Sequence, residues 1–438
     1  MNLKGRPLRL PLWPLPLVYV GVSIVCAFVL PRLERTYLAD VHLGIAVSSA
    51  QAMLSAIASG MIALTGFVFA LAFVMVQFSA VAYSPRLVAW LSRDPTTFHS
   101  LGIFNATFVY AIAALAWVDR DGSGEVPAFS MLLVTVLLLL SIIAFARLVQ
   151  RINDIQIANV LAFIGREGRE TLRTMFQRLD ASGAAAADSW KRAAEEMSRR
   201  PVTQTLHYPD EPFTVARFEI GTLVRLAREA DAVIVIECAV GDTLVENTVL
   251  MRVYGGTRPL DETRLRRTLH LARERTFEQD PKYPLRLLVD IAIKALSPAI
   301  NDPTTAVQAL DQIEDLLRRL GRRVLDAGCV HDEQGVLRLV FPTPSWEDYL
   351  TLAFDEIRQY GSGSVQVMRR LRAALFGLAD ALTEAERKAT VLRYIEHLNL
   401  VVEHSVLDAE DQTIALQQDP QGLGLTRRET ERRGPRAA

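Results

Sequence analysis

Residues 41–85 read VHLGIAVSSAQAMLSAIASGMIALTGFVFALAFVMVQFSAVAYSP, and no formally charged side chain occurs between Asp40 and Arg86. At about 1.5 Å per helical residue, this run is far longer than the ~30 Å needed to cross hydrocarbon. It predicts a transmembrane helix, centred on residues 56–78, that tilts, breaks or extends beyond the bilayer. Working outward, Leu12 to Leu30 is a second uncharged run, preceded by Lys4, Arg6 and Arg9. Ala27 to Leu33 offers no small-x-small cleavage site, so this first span, about 12–30, is expected to stay as an anchor. Two further spans are predicted, about 97–118 and 126–146, separated by the polar turn Asp119 to Glu125.

The rest of the composition agrees with this division. Of 438 residues, 50% are hydrophobic and 22% charged, and the apolar excess lies before Gln150. Lys and Arg number 48 against 49 Asp and Glu. That balance gives no bulk positive field to hold nucleic acid, so no nucleic-acid partner is expected. Lys4, Arg6, Arg9, Arg86, Arg93, Arg147 and Arg151 flank the spans on one side, and Arg32, Arg35 and Arg120 on the other. The positive-inside rule makes the richer side cytoplasmic. Both termini are then inside, and the lipid bilayer is the first expected partner of this multi-pass chain. Cys26, Cys238 and Cys329 are too few and scattered for a disulfide framework, which suits a reducing compartment for the back half.

The predicted fold is an α-helical integral membrane domain of four transmembrane helices, N-in and C-in, followed by a cytoplasmic α+β domain with a small β module and a helical bundle. The expected divisions are 1–150 transmembrane, 151–200 amphipathic connector helices and 201–256 β module. A mainly helical region follows at 257–417, then a disordered basic tail at 418–438. Within the connector, a helix continuing out of the fourth span to about Leu179 is expected to join membrane to cytosol rigidly. Within the β module, Val202 to Tyr208, Thr214 to Ile220, Ala232 to Val240 and Thr248 to Tyr254 are β-prone. Ala239 to Val245 resembles the turn of barrel-sandwich modules, with Gly241 and Asp242 at the corner; no lysine there could carry biotin or lipoate. Helices are predicted over Asp261 to Thr276, Pro284 to Leu296, Pro303 to Leu320, Trp346 to Tyr360, Val365 to Leu382 and Glu384 to Gln417, with a β interruption at Gly335 to Phe341.

Two groups of residues are candidate sites. On the second span Ala52, Ala56, Ser59, Gly60, Ala63, Gly66 and Ala70 recur every three or four positions, which puts them on one helical stripe, with Gln77 two turns beyond. Such a stripe suits close helix contact inside one subunit, contact between subunits, or the lining of a pore in a homo-oligomer. Ser55, Ser59 and Thr65 can also bond carbonyls of their own helix. Pro85 ends the span, and Arg86 is a membrane-interface anchor.

The second group is the densest polar constellation: Arg275, Thr276, Gln279, Asp280, Arg286, Asp290, Lys294, Ser297, Asn301, Asp302, Thr304 and Thr305. Arg286, Asp290 and Lys294 at i, i+4, i+8 form a charge ladder of the kind found on solvated faces. Asp302 before Pro303 has the form of a helix cap. The same helix start beside three basic side chains could instead hold an ion or small anionic ligand.

Leu54 to Gly60 with Gly66-Phe67-Val68-Phe69, Ser84-Pro85-Arg86-Leu87, Gly102-Ile103-Phe104 with Tyr110, Arg275-Thr276 with Gln279-Asp280-Pro281, and Ala295 to Pro298 with Asn301-Asp302-Pro303 resemble the bacterial membrane proteins grouped as domain of unknown function 2254. The resemblance implies a membrane-embedded front half and a cytosolic back half, and supplies no catalytic residues. Ala299 stands where relatives are expected to have glycine, which weakens the case for a left-handed turn there.

No Walker loop, Gly-x-Gly-x-x-Gly, Gly-x-Ser-x-Gly or His-Glu-x-x-His occurs, so no catalytic residue, metal ligand or cofactor is assigned. His397 and His404 lie two turns apart, ~10 Å along a helix, too far for one ion. Glu314 and Asp315, adjacent on a helix, point apart. The functional expectation is an oligomeric inner-membrane protein of channel or transport type whose cytoplasmic domain gates or assembles it. The alternative is a membrane-anchored sensor or scaffold that binds an anionic ligand or protein partner.

Overall fold

The computed structural model describes residues 13–37, 44–82, 95–120, 126–153, 156–176, 187–325, 328–405 and 408–424. Two compact units divide the chain, 1–156 and 157–438.

The first unit contains α1 (Leu15–Tyr37), α2 (Val47–Ala82), α3 (Pro95–Leu115) and α4 (Ala128–Asn153). Each is long and apolar enough to cross a membrane, over 15–34, 47–74, 95–115 and 128–150. The second apolar window begins earlier than expected, because a helix with no charge along 36 residues has no internal mark of its centre. The close-packed helix is α3, which touches α1, α2 and α4. Gly102 makes this approach feasible, since a Cβ there would sit 2.7 Å from Tyr19 Cδ2. Buried hydroxyls bind the helices where water cannot: Ser23 Oγ donates to the Ala106 carbonyl (2.7 Å), and Thr107 Oγ1 and Ser141 Oγ are 3.0 Å apart. Glu34 near the end of α1 accepts from the backbone N–H groups of Ala128 and Phe129, so it caps α4 from another helix.

The second unit is α+β. It begins with α5 (Ile157–Met175) and α6 (Ala187–Ser198), continues with β1 (Val202–His207), β2 (Phe213–Phe218), α7 (Ile220–Glu229), β3 (Ala232–Ile236), β4 (Thr243–Leu244), β5 (Val249–Gly255), α8 (Glu262–Arg267) and β6 (Leu269–Ala272), then α9 (Lys282–Ala295) and α10 (Pro303–Leu320). After these come β7 (Cys329–His331), β8 (Leu337–Val340), α11 (Trp346–Gly361), α12 (Val365–Ala381), α13 (Ala385–Glu403) and α14 (Ala409–Ala415). One sheet has the order β1-β5-β3-β8-β7, the other β4-β2-β6. Leu206, Val215, Phe218, Leu223, Ile234, Ile236, Met251 and Leu339 fill a core between strands and α7. Cys238 is buried there, and burial pushes its thiol up to about 12, which leaves it unreactive.

Several expected boundaries move. The β region is not self-contained: β8, which falls in the β interruption expected at Gly335 to Phe341, pairs parallel with β3 (Ile234 with Leu339), and β6 pairs with β2. The predicted helix 261–276 is therefore α8 followed by a strand, because Leu269 to Ala272 finds a strand partner that helical periodicity cannot reveal. The single helix expected out of the fourth span is two, with α4 ending at Asn153 and α5 starting at Ile157. Within the second unit α5 packs on α9 and α10, with Leu161 and Ile164 buried. The last long helix divides at Glu403, before α14. Of the tail expected to be disordered from Gln418, residues 418–424 are described and ordered, and the remainder lies outside the described residues. Asp419 accepts from the N–H groups of Gln421, Gly422 and Gly424, while Gln366 and Arg369 on α12 donate to the carbonyls of Gly422 and Gly424.

Candidate functional site

On α2 the small-residue stripe lies on the exposed side of the helix among the described residues. Ala52, Ala56, Ser59, Gly60, Ala63, Gly66, Ala70 and Gln77 are all exposed, and a Cβ built on Gly60 or Gly66 has nothing within 4 Å. The buried face is Ala50, Leu54, Ile57, Ala58, Met61 and Val68. At 3.6 residues per turn the two sets centre about 180° apart. The larger side chains won the intrasubunit contact, because they bury more apolar surface against α3. Thr65 Oγ1 donates to the Met61 carbonyl (2.8 Å), whereas Gln51, Ser55, Ser59 and Gln77 make no side-chain hydrogen bond among the described residues. Gln51 was missed at the sequence level, although its polarity within an apolar run was visible. Arg86 lies outside the described residues.

The constellation from Arg275 to Thr305 is not one site. Its first part is a knot of three layers. Gln279, 5% exposed, uses its amide as a strand would: Oε1 accepts from Phe218 N–H (2.9 Å) and Nε2 donates to Phe218 O (3.2 Å). Thr171 on α5 donates to the Phe277 carbonyl (2.8 Å), and the Phe277 ring lies 4.9 Å from that of Tyr283. Asp280 Oδ1 accepts from Lys282 N–H (3.0 Å) at the start of α9, while Oδ2 faces Arg275 Nη1 at 3.5 Å.

This pair reaches the corner of residues 239–242. Gly241 has φ +91, and a Cβ there would stand 2.5 Å from Asp280 Oδ2 and 3.1 Å from Arg275 Cζ. The corner is fixed by Asp242 Oδ2 accepting from Ala239 N–H (2.8 Å) and by Gly241 N–H donating to Val215 O (2.8 Å). Asp280 is 1% exposed, and burial raises its pKa above the usual carboxylate range against the pull of the Arg275 and Lys282 charges. Tyr349 on α11 is fully buried with no hydrogen-bond partner for its hydroxyl; burial, and then the Asp280 charge, push it well above the ordinary phenol value. Thr276 Oγ1 is likewise buried and unpartnered. Sequence reading noticed the Gly241 corner and the Arg275 to Asp280 run separately. Nothing local joins positions so far apart in the chain, and Tyr349 carried no signal at all.

The second part lies along α9, 14 residues and thus about 21 Å long. Its ladder is not a solvated face. Arg286 donates through Nε to Asp290 Oδ1 (2.6 Å) and through Nη2 to Glu356 Oε2 (2.6 Å) of α11, and all three groups are partly covered. The reason is that α9 packs against α5, α10 and α11, so even its polar stripe meets a neighbour. Lys294, farther along, is half-buried and also engaged.

The third part is the turn into α10. Ser297 Oγ donates to Lys294 O (2.7 Å), Asn301 N–H to Ser297 O (2.9 Å) and Asp302 N–H to Ala295 O (2.8 Å). The left-handed residue is Asn301, φ 49, rather than position 299 where glycine was expected; asparagine tolerates this conformation well among non-glycine residues. Asp302 Oδ1 accepts from Thr305 N–H (3.1 Å) and Oδ2 from Thr305 Oγ1 (2.5 Å), with Pro303 in the first turn. Thr304 is exposed. The length of α9 therefore separates Arg275 from the α10 N-terminus, and the nearer Arg286 has two carboxylate partners.

Elsewhere, His397 Nε2 lies 3.1 Å from Arg358 Nη1 and His404 Nδ1 is 2.7 Å from Leu400 O. Among the described residues no group of three His, Cys, Asp or Glu side chains is placed to hold a metal ion. Glu314 and Asp315 do point apart, toward Arg370 and Arg318 on one side and Arg169 and Arg319 on the other.

Four apolar helices in one unit and an α+β unit held by buried polar knots define a membrane protein with a folded back half. The family described as "Predicted membrane protein (DUF2254)" matches residues 9–376, and the chain belongs to that family. Uncharacterized proteins of Mycobacterium bovis and Mycobacterium tuberculosis are each 26% identical over 419 residues, covering 92% of this chain and 78% of the relative, which supports a bacterial origin. No solved structure matches.

Proposed function

We propose that the protein is an oligomeric inner-membrane protein of channel or transport type, with both termini cytoplasmic, in which α2 of each copy faces a shared axis and the α+β unit assembles or gates it. The observation that carries this reading is the outward side of α2, where small residues and the unpartnered hydroxyls of Ser55 and Ser59 share an apolar span, with Gln77 just beyond it. Polar groups at such depth normally face protein or water, and small residues let helices of neighbouring copies approach. A sensor or scaffold with an anionic ligand at Arg275 to Thr305 has less support, since Arg275 and Arg286 already face carboxylates.

Gly60→Leu/Gly66→Leu tests the reading cleanly, because a Cβ built on either glycine meets nothing within 4 Å among the described residues. The wild-type chain in mild detergent is expected to run as an oligomer and to conduct ions in reconstituted vesicles. The double variant is expected to keep its melting temperature and lose both properties. A monomeric wild type, or an oligomer and flux indifferent to the two leucines, would refute the proposal.

A further inference from the structure

At the end of the membrane unit where α1 and α3 finish, two arginines share one indole. The Arg32 guanidinium carbon lies 5.3 Å from the Trp117 ring centroid and 5.7 Å from that of Phe28, and the Arg120 carbon lies 4.3 Å from Trp117. Trp117 is buried, whereas both arginines are exposed. Arg32 Nη1 donates to Phe28 O at 3.0 Å. Neither guanidinium has a carboxylate partner among the described residues. Glu34, two positions from Arg32, is 8% exposed and gives both oxygens to the N–H groups of Ala128 and Phe129.

A guanidinium held over a ring by its charge keeps most of its five N–H donors available, here all but the one Arg32 gives to Phe28 O. Two cations held against the same ring repel each other, and a shared anion relieves that repulsion. Paired N–H donors match the oxygens of a phosphate. The apolar windows of α1 and α3 close at Glu34 and Leu115, so this pair stands where hydrocarbon gives way to headgroups. We propose that Arg32 and Arg120, held on Trp117, form a binding site for a phosphate group, that of a membrane phospholipid.

The full-length protein, delipidated in mild detergent, would be titrated with phosphatidylglycerol, with diacylglycerol of the same chains, and with inorganic phosphate, and bound ligand read from the mass of the intact complex. Wild type is expected to bind phosphatidylglycerol, with diacylglycerol and the variant Arg32→Gln/Arg120→Gln each weakening binding by at least about tenfold. Arg32→Lys/Arg120→Lys keeps both charges and stems but loses the planar fork; weaker binding at an unchanged melting temperature separates recognition from folding. Saturation by inorganic phosphate, lost in the glutamine variant, upholds the phosphate site and makes free phosphate its source. Saturation by phosphatidylglycerol alone makes the source lipid. Equal phosphatidylglycerol binding by wild type and the glutamine variant, or diacylglycerol binding as tight as phosphatidylglycerol, overturns the proposal.

Discussion

Replacing Gly241 by alanine tests the knot that joins the corner of residues 239–242 to the loop before α9. Two costs add. Position 241 has φ +91, in the left-handed half of backbone space, where a side chain costs about 1–2 kcal/mol. The new methyl also lands 2.5 Å from Asp280 Oδ2 and 3.1 Å from Arg275 Cζ. Arg275 is partly exposed and can swing away, but Asp280 is 1% exposed and tied to the N–H of Lys282. Its displacement is overpacking, about 1–3 kcal/mol. The total is roughly 2–5 kcal/mol, or a fall of roughly 3–9 °C in melting temperature for a unit of this size. Intrinsic fluorescence of the full chain in mild detergent, which includes Trp346 of α11, reads it. Gly221→Ala is the control: nothing lies within 4 Å of its built Cβ, and in α7 alanine is expected to hold or raise stability by up to about 1 kcal/mol. An unchanged melting temperature for Gly241→Ala would refute the contact between corner and loop.

Asp280→Asn should change the pH dependence of stability. Because the folded pKa is raised by burial, the contribution of this carboxyl is fully present below its unfolded value of about 4 and is lost as pH rises through the folded value. The melting temperature of wild type relative to the asparagine variant is therefore expected to fall from acid toward neutral pH; a constant difference would count against a buried, raised carboxyl. Asp302→Ala removes the acceptor for Thr305 N–H and Oγ1 and should destabilise by about 1 kcal/mol, while Asn301→Gly, which keeps the left-handed turn, should be nearly neutral. Melting curves of the two variants check this, and a larger effect at Asn301 would mean its side chain does more than shape the turn.

The sequence was most informative where a residue's surroundings are its own neighbours along the chain. Uncharged runs gave four membrane helices because crossing hydrocarbon depends on length and polarity alone. Asp302-Pro303 gave the start of α10 because a cap is made within four residues. Reading failed where the partner comes from afar. The ladder of Arg286, Asp290 and Lys294 looked solvated because nothing local announces that α11 brings Glu356 against it. Leu269 to Ala272 looked helical because its strand partner lies more than fifty residues earlier. Likewise the stripe of α2 was legible as small, but not as outward-facing, since that depended on which of two faces α3 would cover.

By itself, then, the sequence determined the membrane spans, most helices and strands of the back half, and the cap at Asp302, all of them consequences of local periodicity and hydrogen bonding. Only the tertiary structure decided that Gly241 must admit the partly exposed Arg275 and the buried Asp280 it faces, that two arginines meet over Trp117, and that the smallest residues of α2 are left uncovered. Each of those depends on which surfaces meet when helices and strands pack, and packing is chosen by the total area and polar satisfaction of the whole fold, which no single stretch of chain contains.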